Sequence, residues 1–177
     1  PVSRYYVEQS GGYSPLYNGK IPPMYNMLYE GTYFLESDAY YPGTVQYKGK
    51  LYVDLELNLN VHRDELYVRI PEYNSGSVLL KAHVESFIMG DMQFINIVKE
   101  KYPAAPAEGY YRVLYSGDDI SVLKRTTKRM NSATIANDRK VTQVFEESIS
   151  YYFLKNGYFH PVKNKSSVVR VLSGVRK

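Results

Sequence analysis

LYVDLELNLNV, residues 51–61, alternates without a break. Leu51, Val53, Leu55, Leu57, Leu59 and Val61 are apolar, and Tyr52, Asp54, Glu56, Asn58 and Asn60 stand between them. Period two sustained over such a run is the pattern of a strand with one buried face. Just before it, Lys48-Gly49 predicts a turn that folds the strand back onto Thr44–Tyr47 as a hairpin. Beyond His62–Asp64 the alternation resumes at Leu66, Val68 and Ile70, until Pro71, which has no N–H for a ladder. Asn74-Ser75-Gly76 predicts a further turn. SVLLKAHVESFIMG and MQFINIV then each read as one strand or two short ones.

The same reading extends to the C-terminal end. Tyr110–Tyr115 and Ile120–Arg125 predict a strand pair joined by a turn at Ser116–Asp119. Residues 126–142 are mostly polar with no clean period, and predict a mobile loop or a short helix. Asn156-Gly157 predicts a two-residue hairpin, since both residues accept the positive φ of a type I′ turn. Val168, Val169 and Leu172 behind Asn164 or Ser166 as N-cap predict one short terminal helix. About eight to eleven short strands in hairpins make the chain mainly β, an antiparallel sandwich or a curled barrel with one short C-terminal helix.

Composition agrees with that class. Twenty of the 177 residues are Tyr, while Trp and Cys are absent. Tyrosine favours strands and half-buried sites where the ring packs and the hydroxyl reaches a partner. Without cysteine there is no disulfide, no thiolate zinc ligand and no thiol nucleophile. No apolar run is long enough for a membrane-spanning helix. Pro1 is not an initiating residue, so the expectation is either a leader removed ahead of it or a chain trimmed to its folded part. Residues 1–108 carry nine Lys/Arg against thirteen Asp/Glu, a balance of −4, and residues 109–177 carry thirteen against five, a balance of +8. Such asymmetry predicts a basic surface or two mutually attracting regions.

Residues 1–43, rich in Tyr, Pro and Gly, predict an extended arm packed on the domain. Chains meant to stay disordered are poor in aromatics. Residues 44–177 form the β-rich domain, with a subdomain boundary near residue 105, where the Pro/Ala connection Tyr102–Glu108 coincides with the change of charge sign.

Catalytic signatures are missing. His62, His83 and His160 fit no metal-binding spacing, and no HExxH, GxSxG, calcium loop or phosphate loop is present. His62 falls in a predicted turn and is expected to be solvated, whereas His160 is expected to pack against an aromatic neighbour. The acidic pairs Asp64-Glu65, Asp118-Asp119 and Glu146-Glu147 are adjacent in sequence. Neighbours on a strand point to opposite faces, so none is a ready dyad for glycoside hydrolysis, which needs two carboxyls roughly 5–9 Å apart. No cofactor or metal site is expected.

The sharpest feature is the basic run Lys124, Arg125, Lys128 and Arg129, with Tyr110 and its neighbours Tyr111 and Tyr115 nearby. Clustered cations neutralise phosphates, and tyrosines stack bases or sugars. These residues are the candidates for polyanion or partner binding. A solvated face is the plainer reading, because alternation puts Tyr111, Val113 and Tyr115 on one face and Tyr110, Arg112 and Leu114 on the other. The glycine-spaced aromatics of ribonucleoprotein sheets are absent.

Two stretches carry a resemblance. GYYRVLYSGDDISVLKRTTKR, with Leu114, Tyr115, Gly117 and Val122–Lys124, and YYFLKNGYFHPVKNKSSVVRVL, with Tyr151–Val162 and Lys163–Leu172, together resemble uncharacterised exported β-rich proteins of Bacteroidetes. GTVQYKGKLYVDLELNLNVHRDELYVRI resembles their first hairpins, so the likeness runs over roughly residues 43–172. The long Lys-rich helix that often follows in that set is not among these 177 residues. The resemblance implies export to the periplasm or cell surface, and it brings no activity and no catalytic residues.

Taken together, these features predict a non-enzymatic extracytoplasmic domain that binds a partner protein or a cell-envelope polysaccharide. The rival expectation is a glycan-acting hydrolase whose carboxylates are assembled by the fold. Nucleic acid is not the expected partner, and the sequence leaves the oligomeric state open.

Overall fold

The computed structural model describes residues 15–70, 76–134, 141–164 and 166–169. The chain is mainly β. One sheet contains eleven strands: β1 (Tyr29–Glu30), β2 (Tyr41–Tyr47), β3 (Lys50–Asn60), β4 (Glu65–Arg69), β5 (Gly76–Val78), β6 (Val84–Met89), β7 (Met92–Ile97), β8 (Gly109–Ser116), β9 (Ser121–Thr134), β10 (Val141–Lys155) and β11 (Tyr158–Val162). Their spatial order is β1-β10-β9-β8-β7-β6-β2-β3-β4-β5, with β11 also on β10. Every pairing is antiparallel except β1 with β10. The sheet runs continuously through the Tyr102–Glu108 connection, because β7 and β8 pair across it.

The sheet curls without closing into a barrel. Lys128 N–H on β9 donates to the Val61 carbonyl (3.3 Å), and Tyr110 N–H on β8 donates to Asp64 Oδ1 (3.2 Å). Inside the curl lies the largest core, with Val45, Leu57, Leu59, Leu66, Phe87 and Phe94 at its centre. A second core of Ile97, Ala105, Tyr111 and Leu123 lies elsewhere on the sheet, and the Tyr102–Glu108 connection packs into it. Tyr110 and Tyr111 are therefore both buried, one in each core.

The expected hairpins form. Lys48 and Gly49 take φ of 51° and 71°, and Asn156 and Gly157 take 50° and 80°, the left-handed pairs of a type I′ turn. Residues 166–169 begin a helix, capped by Ser167 N–H donating to Asn164 Oδ1 (3.0 Å). Five expectations fall wholly or partly outside the described residues: residues 1–14 of the arm, the stop at Pro71, the turn at Asn74-Ser75, residues 135–140 of the polar segment and the helix beyond residue 169.

Two findings differ from the sequence reading. Between Gly43–Leu55 and Val45–Tyr52 the register shifts by one residue, and Asp54 takes φ +55°, a bulge of the left-handed kind. The parity of β3 flips there. Leu51 is 63 % exposed, while Tyr52 packs on the core beside Tyr47. We expect Leu57→Ala to cost about 2–5 kcal/mol as a buried leucine. Leu51→Ala should stay within about 0.5 kcal/mol as a surface change, and urea denaturation of the two variants checks the bulge. Equal losses would contradict it.

The second difference is the polar segment. Residues 126–134 are strand, and β9 and β10 form a long ribbon paired from Ser121–Leu154 to Thr134–Val141. A loop is excluded there, apart from residues 135–140, which lie outside the described residues. The ribbon shows no hydrophobic period because much of both its faces is wet.

Candidate functional site

Residues 15–40 form an arm that packs along the sheet. Lys20 bridges Val78 on β5, Leu35 N–H donates to the Leu59 carbonyl (2.9 Å), and Val61 N–H donates to the Tyr33 carbonyl (3.1 Å). The arm thus runs beside β3, on the line that β2 leaves open. That cover explains Asn58 and Asn60, which the alternation places opposite the apolar face but which are fully buried. Asn58 Nδ2 donates to the Ser37 carbonyl (3.0 Å) and Asn60 Nδ2 to the Tyr67 hydroxyl (3.1 Å), so both amides are satisfied.

Aromatic rings hold the arm down. Tyr25 stacks on Tyr33 with centroids 4.5 Å apart, and Tyr25, Tyr29 and Tyr33 each meet Phe145 of β10 edge-on. Such pairs contribute about 0.5–1.5 kcal/mol each beyond area burial. His62 belongs to this cluster. Its Nδ1 lies 3.0 Å from the Lys128 carbonyl and its ring packs on Phe145, so it is not the solvated turn residue that the sequence suggests. His83 meets Tyr47 edge-on, and His160 is exposed.

Between the arm and strands β4 and β5 lies a groove of about 880 Å³. Tyr17, Tyr25, Tyr29, Tyr33, Tyr40 and Tyr67 line it, with Asp38 and Asn26 as polar neighbours. Ile21 and Met24 also line it and are 90 % and 88 % exposed, with Leu28 following at 76 %. Tyr25 Oη is buried and meets no hydrogen-bond partner among the described residues. Arg69 lies over the Tyr40 ring at 4.6 Å.

The basic run is divided by strand alternation. Lys124 and Lys128 point to one face of β9, and Arg125 and Arg129 to the other. Lys128 Nζ donates to the carbonyls of Thr32 (3.0 Å) and Phe34 (2.5 Å), clamping the arm. Burial lowers its pKa, against the opposing charges of Glu147 and Asp38. Arg125 donates to the Glu108 carbonyl (2.9 Å) and lies over the Tyr111 ring, closing the second core. Lys124 lines a smaller cavity inside the curl, and Arg129 is exposed opposite Glu146. Tyr110 is only 3 % exposed, so it offers no stacking face. A bulge at Leu114 also turns Tyr115 to the face opposite Tyr111. The five sequence candidates thus do not form one surface. Five of the groove's tyrosines are visible in the sequence only as part of an arm, because the β4 and β5 residues opposite them, Tyr67 included, are far away along the chain.

Burial raises the pKa of several tyrosines. Tyr33 is pushed up to about 12 by burial first, then by Tyr29 and Asp38. Tyr111 reaches about 12, with Arg125 opposing. Tyr40, Tyr47, Tyr67 and Tyr110 also move upward, chiefly by burial. An acid whose folded pKa exceeds its unfolded value of about 10 contributes stability that is intact below pH 10 and is lost as pH rises toward 12. Lys128 acts with the opposite sign but is a single group. Part of the tyrosinate absorbance is therefore expected to appear only as the fold opens in alkali, and Tyr33→Phe should raise the pH of unfolding. A single titration step with a midpoint near pH 10 would contradict this.

Among the described residues no group of three or more His, Cys, Asp or Glu is placed to hold a metal ion. No helix among them is long and apolar enough to cross a membrane. Comparison of the chain with protein-family models, curated proteins and solved structures gives no match.

Proposed function

We propose that the chain is a non-enzymatic extracytoplasmic domain whose arm groove takes an extended segment of a partner protein. The observation that carries this reading is the exposure of Ile21 and Met24 at the lip of a groove walled by tyrosines. Solvent-exposed apolar residues beside aromatic walls mark protein contact surfaces, and Tyr anchors them at low entropic cost. The test is a displayed random-peptide library, selected on the native chain and counter-selected on Ile21→Glu/Met24→Glu. Peptides that lose about tenfold or more in affinity on the variant support the reading, since that loss is about 1.4 kcal/mol of groove contact. Peptides that bind both proteins equally, or no binders, overturn it. Export is tested by fractionating the producing cells, with the chain expected outside the cytoplasm.

A cell-envelope polysaccharide is the second reading, favoured by six tyrosine rings together with Asp38 and Asn26 as hydroxyl partners. Saturable binding of envelope glycan fragments, lost in Tyr25→Ala, would select it. The hydrolase alternative requires two facing carboxyls. Among the residues that line the groove, Asp38 is the sole carboxylate. Glu36 and Glu147 share the smaller cavity, but at about 230 Å³ it has no room for a glycan chain to cross.

A further inference from the structure

The smaller cavity lies inside the curl, where β9 approaches β3, and holds about 230 Å³. Leu59, Val61, Phe94 and the Tyr110 ring form its apolar wall, and Arg112, Lys124, Glu147 and Glu36 supply its charges. At about 30 Å³ per water, the space holds roughly eight water-sized groups.

The charges are arranged in an unusual way. Arg112 and Lys124 are directly opposite across β8 and β9, a like-charged pair that destabilises a sheet. The ion pairs among the described residues are Arg63–Glu65, Arg69–Glu56 and Lys81–Asp64, so neither cation has a carboxylate of a described residue within 4.0 Å. Glu147 lies further along the ribbon. It faces Lys128, whereas Lys124 faces Tyr151. At about 3.3 Å per residue, four residues place the Lys124 and Glu147 backbones roughly 13 Å apart along the strands. Thr126, which also lines the cavity, lies between them. The cavity therefore has a cationic end, the Glu147 carboxylate further along the ribbon, a second carboxylate from Glu36 of the arm, and an apolar wall.

We propose that this cavity binds a small zwitterion, a free amino acid or a dipeptide with aliphatic side chains. Its carboxylate accepts from Arg112 and Lys124, its ammonium donates to Glu147, and its side chain rests on Leu59, Val61 and Phe94. Binding supplies the counter-charge that the two cations lack.

Calorimetric titration of the intact chain tests this with L-leucine and L-alanyl-L-alanine, each also as the N-acetyl acid and the C-terminal amide. At least one zwitterion should saturate, and both of its capped forms should bind about tenfold or more weakly. Arg112→Gln/Lys124→Gln should abolish binding without lowering the melting temperature, because it relieves repulsion. Thr126→Leu, which fills the space and keeps every charge, should abolish it as well. No saturation by either zwitterion below about 10 mM, far weaker than a useful site, overturns the proposal. So does a capped acid that binds as tightly as its zwitterion, or binding that survives both variants.

Discussion

Gly109→Ala is expected to destabilise the protein by about 3–5 kcal/mol, measured as a shift in urea midpoint at constant slope. Gly109 begins β8 with φ +138°, a conformation that side chains rarely adopt. A Cβ there would overlap the Asp64 carboxylate. That carboxylate is the latch of the curl: Oδ1 accepts from Tyr110 N–H (3.2 Å), and Oδ2 pairs with Lys81 Nζ from the turn before β6. The backbone strain costs about 1–3 kcal/mol. Displacing the carboxylate costs a further 1–3 kcal/mol or so, through an unmet amide and an unpaired ammonium. A double-mutant cycle identifies the mechanism. Asp64→Gly removes the obstructing group at a residue that already has φ +56°. Gly109→Ala should cost distinctly less in that background, giving a coupling above about 0.5 kcal/mol. Additive losses would show that the latch is not the cause.

The second large effect concerns the arm. Lys128→Met keeps the stem and removes the ammonium that caps the Thr32 and Phe34 carbonyls. Two charge-assisted bonds, set against the relief of a desolvated cation, predict a loss of about 2–3 kcal/mol. Arg129→Met, one residue further and exposed, should change stability by less than about 0.5 kcal/mol. Hydrogen exchange locates the loss. Protection should fall at Leu35, Val61 and His62, whose amides pair across the seam between arm and β3. A loss at Lys128 no greater than at Arg129 would contradict the clamp.

These two residues also show where the sequence is transparent and where it is not. The hairpins at Lys48-Gly49 and Asn156-Gly157 are legible because turn chemistry is local, and positive φ needs only the two residues involved. The buried face of β3 is legible from Leu55 onward but not ahead of Asp54. There a bulge reverses the parity, and an aspartate among alternating residues gives no warning of φ +55°. Lys128 and Arg129 look alike in sequence. One is a half-buried clamp and the other a solvated charge, because the arm covers only one face of β9. The same cover buries Asn58 and Asn60, which read as solvent-facing. The groove and the smaller cavity each join residues that only the curl and the arm bring together, such as Tyr25 with Tyr67 and Leu59 with Lys124.

Binding of a partner protein in the arm groove is the function proposed for this chain. Its most direct measurement places a photo-crosslinking amino acid at Met24 and, in a second protein, at Leu51, with irradiation in the producing cells. Both positions are exposed, but only Met24 lines the groove. The groove account predicts a discrete protein adduct from position 24, lost on adding Ile21→Glu, and none from position 51. No adduct from position 24, or equal adducts from both positions, would contradict it.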